Sequence, residues 1–560
     1  MKARAGEQAG RFAERRWFVG TKQQVGNTKA SKSAAGGKAR PAPAFPLRCA
    51  AVDVGSNALR YLAVEFSAPG QFRVLENLRS AVRLGHGVFL SGRLAEEQAT
   101  EAIEVLQGFR ERMDALSISR YRAVATSAVR ESANAGAFLA KVRQAAKIDL
   151  ETIHGSEEAR LVHRAVKSRI DLGTAYWMLV DLGGGSVEVS LVDASGLQWS
   201  ESHTMGSVRL LEELTGSARD RGRFLRLLTE YAGTLRVRSG LEEVRPSGYI
   251  ATGGNIETLA EMATAVPDAA GVSRLPVEDL ARLIQRLSSL SYRERVEKLG
   301  LREDRADVIL PAAIIYERLA TLAQAREILV PYVGVKEGIV LDLADGASPL
   351  GEGQVRQAEQ QVARTAVALG RKYRFDEPHA LHVASLALSL FDQTLAVHGM
   401  GEGERRILHA AALLHDIGSF VSYTRHHKHS LYLITHSNLA GFTPRETLMV
   451  ANVARYHRRS FPKPQHEPFT ALQKDDRDKV SALAALLRLA DAMDREHRQR
   501  VERIKVSVSR WALKVGLEGQ GDLLLEAWAL KRKSDLLQKV FGRPVEVARL
   551  EKGGSDGQGG

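Results

Sequence analysis

The stretch Leu179–Val192, LVDLGGGSVEVSLV, decides how this 560-residue chain folds. An apolar run ends in Asp181, breaks over Gly183, Gly184, Gly185 and Ser186, and resumes with Val187, Val189 and Leu191 alternating against Glu188 and Ser190. Period-two alternation marks a strand, and a glycine break between two such runs marks a tight hairpin. Glycines let the backbone take positive φ and approach a ligand closely, and successive N–H groups in such a turn form an anion nest. Ser186 adds a hydroxyl donor, and Asp181 at the strand end offers an oxygen to a Mg²⁺ that bridges a phosphate. Glu188, two residues past Ser186, faces the same side of the outgoing strand.

The same shape occurs 181 − 53 = 128 residues upstream, in AAVDVGSNALRYLAV (Ala50–Val64), where Asp53, Gly55, Ser56 and Asn57 offer the same chemistry. Either hairpin alone also fits a tight turn that uses glycine for steric reasons. Two copies in matching contexts predict a cleft with two facing phosphate loops. A third loop, Thr252-Gly253-Gly254, follows a strand-like run at 248–252 and by itself is a common turn.

Outward from these loops the pattern alternates. Residues 50–54, 61–66 and 72–78 read as strands, 95–116 as a helix, 121–126 as a strand and 135–146 as a helix. The layout restarts at Tyr176 with strands at 177–181, 187–193, 197–202 and 248–252 and helices to about 325. This is an α/β architecture in two copies. The spacer Asp342–Gly353, with Gly346, Pro349, Gly351 and Gly353, marks a boundary. Beyond it the chain is nearly all helical and rich in histidine to about 500, and then alternates again at Ile504, Val506, Val508, Leu513, Val515 and Leu517. The expected division is a basic disordered tail at 1–47, a first lobe at 48–172, a second at 173–345, a helical domain at 355–500 and a small α+β domain at 501–550, with a polar frayed tail from Gly553.

The net charge of +13 is concentrated at the front. Residues 1–48 hold eleven Lys/Arg and two acids, +9, which leaves 13 − 9 = +4 for the rest. The tail lacks the apolar core of a secretory signal; its Arg-rich, acid-poor composition resembles a transit peptide, and it equally fits a solvated basic extension or a start site placed too early. No apolar run is long enough to span a membrane. The single cysteine, Cys49, rules out an intrachain disulfide framework, fits a reducing, cytoplasmic compartment, and sits in a strand-like run as a core residue rather than a nucleophile.

Six ordered motifs, VDVGSN (52–57), TSAVRES (126–132), HGSEEARLV (154–162), VDLGGGSVEV (180–189), MGSVRL (205–210) and ATGGN (251–255), resemble the exopolyphosphatase/guanosine pentaphosphate phosphohydrolase family. The segment Gly334-Val335-Lys336-Glu337-Gly338 resembles the family's closing motif, with Lys where Arg is usual. The resemblance implies duplicated actin-like (ribonuclease-H-like) lobes, Mg²⁺-dependent hydrolysis of terminal phosphate from polyphosphate or from guanosine pentaphosphate, and a homodimer. On the residues alone, Ser156-Glu157-Glu158 is a helix start, with Ser156 as N-cap and acids on the favourable end of the dipole. The resemblance adds a role for Glu158 as general base, for Arg130 as a phosphate ligand, and for Asp181 and Glu188 as the acidic pair at the metal. Phosphoryl transfer needs positioning and charge neutralisation more than covalent help. The expected phosphate grip is Asp53, Gly55, Ser56, Asn57, Arg130, Gly183–Ser186 and Thr252–Gly254, with Glu158 activating water.

In the helical region, His382, His415-Asp416 and Asp491 resemble the H…HD…D pattern of HD-type metal phosphohydrolases, which implies a possible second divalent metal. Further histidines stand at 426, 427, 429, 436 and 457, and Arg455, Arg458, Arg459 and Lys463 make either a strip for a polyanion or a solvated basic face. Two other readings stay open: an HD-type hydrolase whose front half only senses nucleotides, and a non-catalytic polyphosphate or alarmone sensor.

Overall fold

The computed structural model describes residues 45–215, 221–237, 245–345, 352–437, 439, 441–458 and 460–550. The expected basic tail falls almost wholly outside these residues, as do Arg459 and the polar end from 551.

The first sheet contains β1 (Leu47–Val54), β2 (Leu59–Ala68), β3 (Gln71–Ser80), β4 (Arg120–Ala125) and β5 (Leu150–Thr152) in the order β3-β2-β1-β4-β5. The second contains β6 (Trp177–Leu182), β7 (Val187–Asp193), β8 (Gly196–His203), β9 (Gly248–Thr252), β10 (Ser273–Pro276) and β11 (Glu327–Val330) in the order β10-β11-β9-β6-β7-β8. The plan is common to both. A three-strand antiparallel meander supplies its first strand, β1 or β6, as the parallel neighbour of the next, β4 or β9. Parallel neighbours require a crossover, and helices supply it. Between β3 and β4 this is Glu96–Ala115, whose buried Ala102, Leu106, Phe109 and Met113 recur at helical spacing. The result is a pair of actin-like α/β lobes. The strands β5, β10 and β11 are three or four residues long, too short to leave a periodic signal, and the sequence reading does not contain them.

The lobes share a core. Cys49, Ala51 and Leu62 of the first sheet pack in one cluster with Leu179, Ile250 and Leu329 of the second. The helix Val335–Asp345, which ends the second half in sequence, lies on the first sheet and against the helix Gly155–Lys167. Gly338 makes this approach possible, since a Cβ there would meet the Leu161 carbonyl oxygen at 2.1 Å. Burial in this core pushes the Cys49 thiol up to about 12, which suits packing and not nucleophilic work.

The remaining chain is a helical bundle that includes Glu377–Gln393, Glu402–Leu414, His426–Thr435, Pro444–Arg455 and Lys474–Ala492. It is followed by a sheet in the order β12 (Val501–Val508), β13 (Leu513–Gly519), β14 (Val545–Arg549). Val515, Leu517, Leu530 and Leu537 of this end region join the core of the helices, so one continuous core runs across residue 500. Among the described residues no helix is long and apolar enough to cross a membrane.

Candidate active site between the lobes

The turns at the ends of β1 and β6 meet. A Cβ on Gly184 would touch the Ser56 side chain at 2.9 Å, and one on Gly185 would strike Ser127 and Phe89 at 2.3 and 2.4 Å. Gly206, from the MGSVRL motif, lies on the Gly184–Gly185 backbone so closely that no side chain fits. Arg209 of the same motif donates from Nε to the Gly185 carbonyl (2.8 Å) and from Nη2 to Glu131 across the gap (2.5 Å). Glycine is therefore required where one lobe's backbone rests on the other.

The two turns open on a cleft of about 1010 Å³, lined by Asp53, Gly55, Ser56 and Asn57 from the first lobe and by Asp181, Gly183, Gly184, Gly253 and Gly254 from the second, with Glu158 at its wall. Asp181 and Glu188 are direct cross-strand neighbours on β6 and β7. With Glu158 from the helix Gly155–Lys167 they form a buried group whose carboxylate oxygens lie within 4.8 Å of one another. Thr252 Oγ1 donates to Asp181 (2.8 Å), and Ser186 and Ser202 donate to Glu188 (2.7 and 2.9 Å). One oxygen each of Glu158 and Glu188 is buried with no hydrogen-bond partner.

Three carboxylates so placed repel. Burial raises the Glu158 carboxyl well above its ordinary range, and Glu188 and Asp181 raise it further. Burial, then Asp181, lifts Glu188 to about 7, and burial lifts Asp181. Arg130 is the cation at hand, 3.9 Å from Glu158 and anchored by donation to the Ile153 carbonyl (2.6 Å). The adjacent Glu157 has the opposite setting. Against its burial, Arg160 and Arg122 hold it down at about 2. Of the two neighbouring glutamates, Glu157 is locked into ion pairs and Glu158 faces the carboxylates with an oxygen free. The residues present fit a divalent cation, since such an ion would satisfy the orphan oxygens and remove the repulsion.

Several expected roles move. The helix starts at Gly155, with His154 extended at the cap and no side-chain cap bond, so Ser156 is not the N-cap and its hydroxyl is buried without a partner. Ser186 does not present its hydroxyl to a ligand, because residues i and i+2 share a strand face and it donates to Glu188 instead. The Gly183 amide closes the turn on the Ser186 carbonyl (3.0 Å). Among the described residues no acceptor pairs with the amides of Gly184 and Gly185, nor with those of Gly254 and Asn255 at the start of the helix Gly254–Met262. Of these, Gly184, Gly254 and Asn255 line the cleft and offer it backbone donors. Asn57 donates to the Asp304 carbonyl (3.0 Å). Asp53 is bound by Arg60 Nη1 at 2.8 Å. The sequence reading did not name Arg60, Arg79, Arg302, Arg305 and Lys336, the cations around the cleft, as phosphate ligands.

In the helical region, His415, Asp416 and Asp491 come together, but His382 does not join them. His379, one turn earlier, fills that place, and His426 and His457 complete two groups, His379–His415–Asp491 and Asp416–His426–His457. The physical reason is helical phase. His379 precedes the buried Val383, Leu386 and Ala387 by four, seven and eight residues, whereas His382 is only partly buried.

The model of the Ppx/GppA phosphatase family matches residues 63–347, and that of Ppx/GppA phosphatase domain III matches residues 362–539. Among solved structures, an exopolyphosphatase from Cytophaga hutchinsonii is 27% identical over 55% of this chain and all of its own, with a TM-score of 0.47. The Aquifex aeolicus member of the Ppx/GppA family is 24% identical over 53% of this chain and 97% of its own, with a TM-score of 0.45. The ADP-bound MreB5 of Spiroplasma citri is 14% identical over 31% of this chain and 56% of its own, with a TM-score of 0.20.

Proposed function

Because this chain belongs to the Ppx/GppA phosphatase family, whose members are phosphoanhydride hydrolases, we propose that it removes the terminal phosphate of inorganic polyphosphate by in-line attack of water activated by Glu158. The observation that carries this reading is the Glu158–Asp181–Glu188 group, buried at the junction of two glycine turns in one cleft. Asp181 and Glu188 would hold a Mg²⁺, which when bound neutralises charge on the phosphoryl oxygens. The amides of Gly184, Gly254 and Asn255 donate to the anionic oxygens, and Arg60, Arg305 and Lys336 balance the trailing phosphates. A loose transition state asks for this kind of positioning and neutralisation. Glu158, with one unpartnered oxygen, takes the proton from water as the water oxygen attacks the terminal phosphorus. The bridging P–O bond breaks, and the shortened polyphosphate leaves with that bridging oxygen as an anion. Burial and the neighbouring Glu188 raise the affinity of Glu158 for protons, as proton abstraction from water requires. The experiment is phosphate release from long-chain polyphosphate with Mg²⁺, wild type beside Glu158→Gln. A loss of about 10²-fold or more is expected, and an unchanged rate would remove Glu158 from the reaction.

A second reading, hydrolysis of guanosine pentaphosphate, is favoured by the apolar side of the same cleft, where Phe72, Val74, Met262, Leu299 and Tyr332 could hold a base. Comparing kcat/KM for the two substrates decides between them. A cytoplasmic, homodimeric protein remains the proposal for location and assembly.

A further inference from the structure

The charge that remains behind the front segment is not spread evenly. Residues 501–550 hold ten Lys/Arg and six Asp/Glu, a net of +4, so the rest of the chain beyond residue 48 is neutral overall. Two of the four described tryptophans, Trp511 and Trp528, stand in the same stretch and are 72% and 55% exposed, whereas Trp177 and Trp199 are half-buried. The helix Leu524–Lys533 brings charge and apolar surface onto one face. At 3.6 residues per turn, Leu524, Leu525, Trp528, Lys531 and Arg532 fall within one arc of about 120°. All five are exposed, Leu524 at 71%. The opposite face, Glu526, Ala529 and Leu530, is buried, and its two apolar members join the core of the bundle. The core therefore uses one stripe of the helix and leaves a second apolar stripe in water.

The stripe lines neither the cleft between the lobes nor the histidine-lined cavity of the bundle, and its chemistry changes along its length. Leu524, Leu525 and Trp528 form an apolar first half. Lys531 and Arg532 form a cationic second half, with the Arg532 guanidinium over the Trp528 ring at 5.1 Å. Among the described residues neither cation is paired with a carboxylate. The arc itself has no acid, because Glu526 is buried on the other face and Asp522, ahead of the helix, accepts from the Leu524 amide (3.0 Å). A second copy of the same face would therefore set cations against cations or against leucines. A nucleic acid would use the cations and the ring and leave two leucines wet. An anionic bilayer uses all five. Leucines enter the acyl boundary, an indole rests at headgroup level, and cations meet the phosphates.

We infer that the outward face of the helix Leu524–Lys533 is a docking surface for an anionic lipid bilayer. Leu524, Leu525 and Trp528 enter the interface, and Lys531 and Arg532 hold the headgroup phosphates. The long stems of the two cations let their charges stay at the headgroups while the apolar end goes deeper. The contact is peripheral and reversible, since three side chains bury far less apolar area than a spanning helix. It lies outside the cleft and goes beyond the hydrolytic reaction proposed there.

The test floats the full chain with vesicles of phosphatidylcholine, made with and without phosphatidylglycerol, and follows tryptophan emission. The wild type should float with the anionic vesicles, be released by high salt, and stay behind with phosphatidylcholine alone. Leu524→Ser should weaken partition about tenfold, the worth of one leucine moved out of water. Arg532→Gln should weaken it about fivefold, the worth of one cation at such a surface. Emission should shift to the blue on anionic vesicles, and Trp528→Phe should remove most of that shift. All three positions are exposed and outside the cleft, so polyphosphate hydrolysis without vesicles should stay at the wild-type rate in each variant. Absence of flotation overturns the proposal. Flotation that neither Leu524→Ser nor Arg532→Gln weakens overturns it as well and assigns the contact to the basic residues 1–48. A dimer that Trp528→Phe or Leu524→Ser splits in light scattering, or a blue shift on oligouridylate and not on vesicles, overturns it in favour of a second copy or of RNA.

Discussion

In the first lobe Asp53 on β1 faces Arg60 on β2, and in the second lobe Asp181 on β6 faces Glu188 on β7. The offset is the same for both members, 181 − 53 = 188 − 60 = 128. One hairpin, at one register, carries a neutralised pair in the front lobe and a repelling pair in the back lobe. The front pair is closed at 2.8 Å and complete in itself. The back pair, joined by Glu158, holds an excess of negative charge in a buried space and becomes comfortable only when protons or a cation arrive. The two turns have one shape, and the difference between residues 60 and 188 leaves one of them with a buried group of unbalanced carboxylates.

The comparison breaks most severely at the back pair. Glu188→Gln keeps the shape and removes the charge. Hydrolysis of polyphosphate is expected to fall about 10²-fold, with a weaker Mg²⁺ dependence, because catalytic metal ligands contribute several kcal/mol of charge stabilisation. In the same variant the metal-free protein should melt higher than wild type near pH 8. A rate within a few-fold of wild type would show that the charge is dispensable.

At the front pair the expected loss is smaller and of a different kind. Arg60→Ala leaves Asp53 buried and unpaired and takes a cation from the cleft, so KM for polyphosphate should rise about tenfold, within the usual worth of a hydrogen bond to a charged group. A fall in kcat with KM unchanged would place Arg60 in the chemistry instead.

The pH dependence sharpens the contrast without a mutation. Glu188 titrates at about 7 in the folded chain against an ordinary 4.5, so between these values the folded state binds more protons than the unfolded one. Stability contributed by this group is therefore present below pH 4.5 and is lost as pH rises through about 7. Metal-free melting temperature should fall over that window, and saturating Mg²⁺ should flatten the fall, since ion and proton compete for the same oxygens. Calorimetry from pH 5 to about 8 reads both. A metal-free profile that is already flat would contradict the reading of a repelling cluster.

The smallest effect belongs to Ser186→Ala. The hydroxyl lowers Glu188 by donating to its ionised form. Its loss should move the acid limb of the rate profile toward higher pH and reduce the rate at pH 7 a few-fold, in line with one hydrogen bond. An unmoved limb would detach Ser186 from Glu188.

Much of this was legible in the sequence. Both hairpins, the strand-end aspartates and the face that Glu188 shares with Ser186 follow from alternation and glycine placement alone. The Asp53–Arg60 pair was not read, although both residues stand in a quoted stretch, because facing across a hairpin depends on register, and register shows only when the two hairpins are laid over each other at 128. Glu158 could not be told from Glu157 by position in a helix. What separates them is two arginines on other turns and strands, Arg160 and Arg122. The motif pattern points to His382 and does not reach His379, because order along the chain says nothing of helical phase. The buried stripe through Val383 and Leu386 carries that information.

The helix Val335–Asp345 has one further consequence. It is made last of the α/β half and rests on the sheet made first, with Ile339 and Val340 wholly covered. The front half cannot be finished until the back half has been threaded past it, so a fragment stopping before Val335 should display a raw apolar stripe and clump, and adding the missing segment as a separate peptide should rescue it.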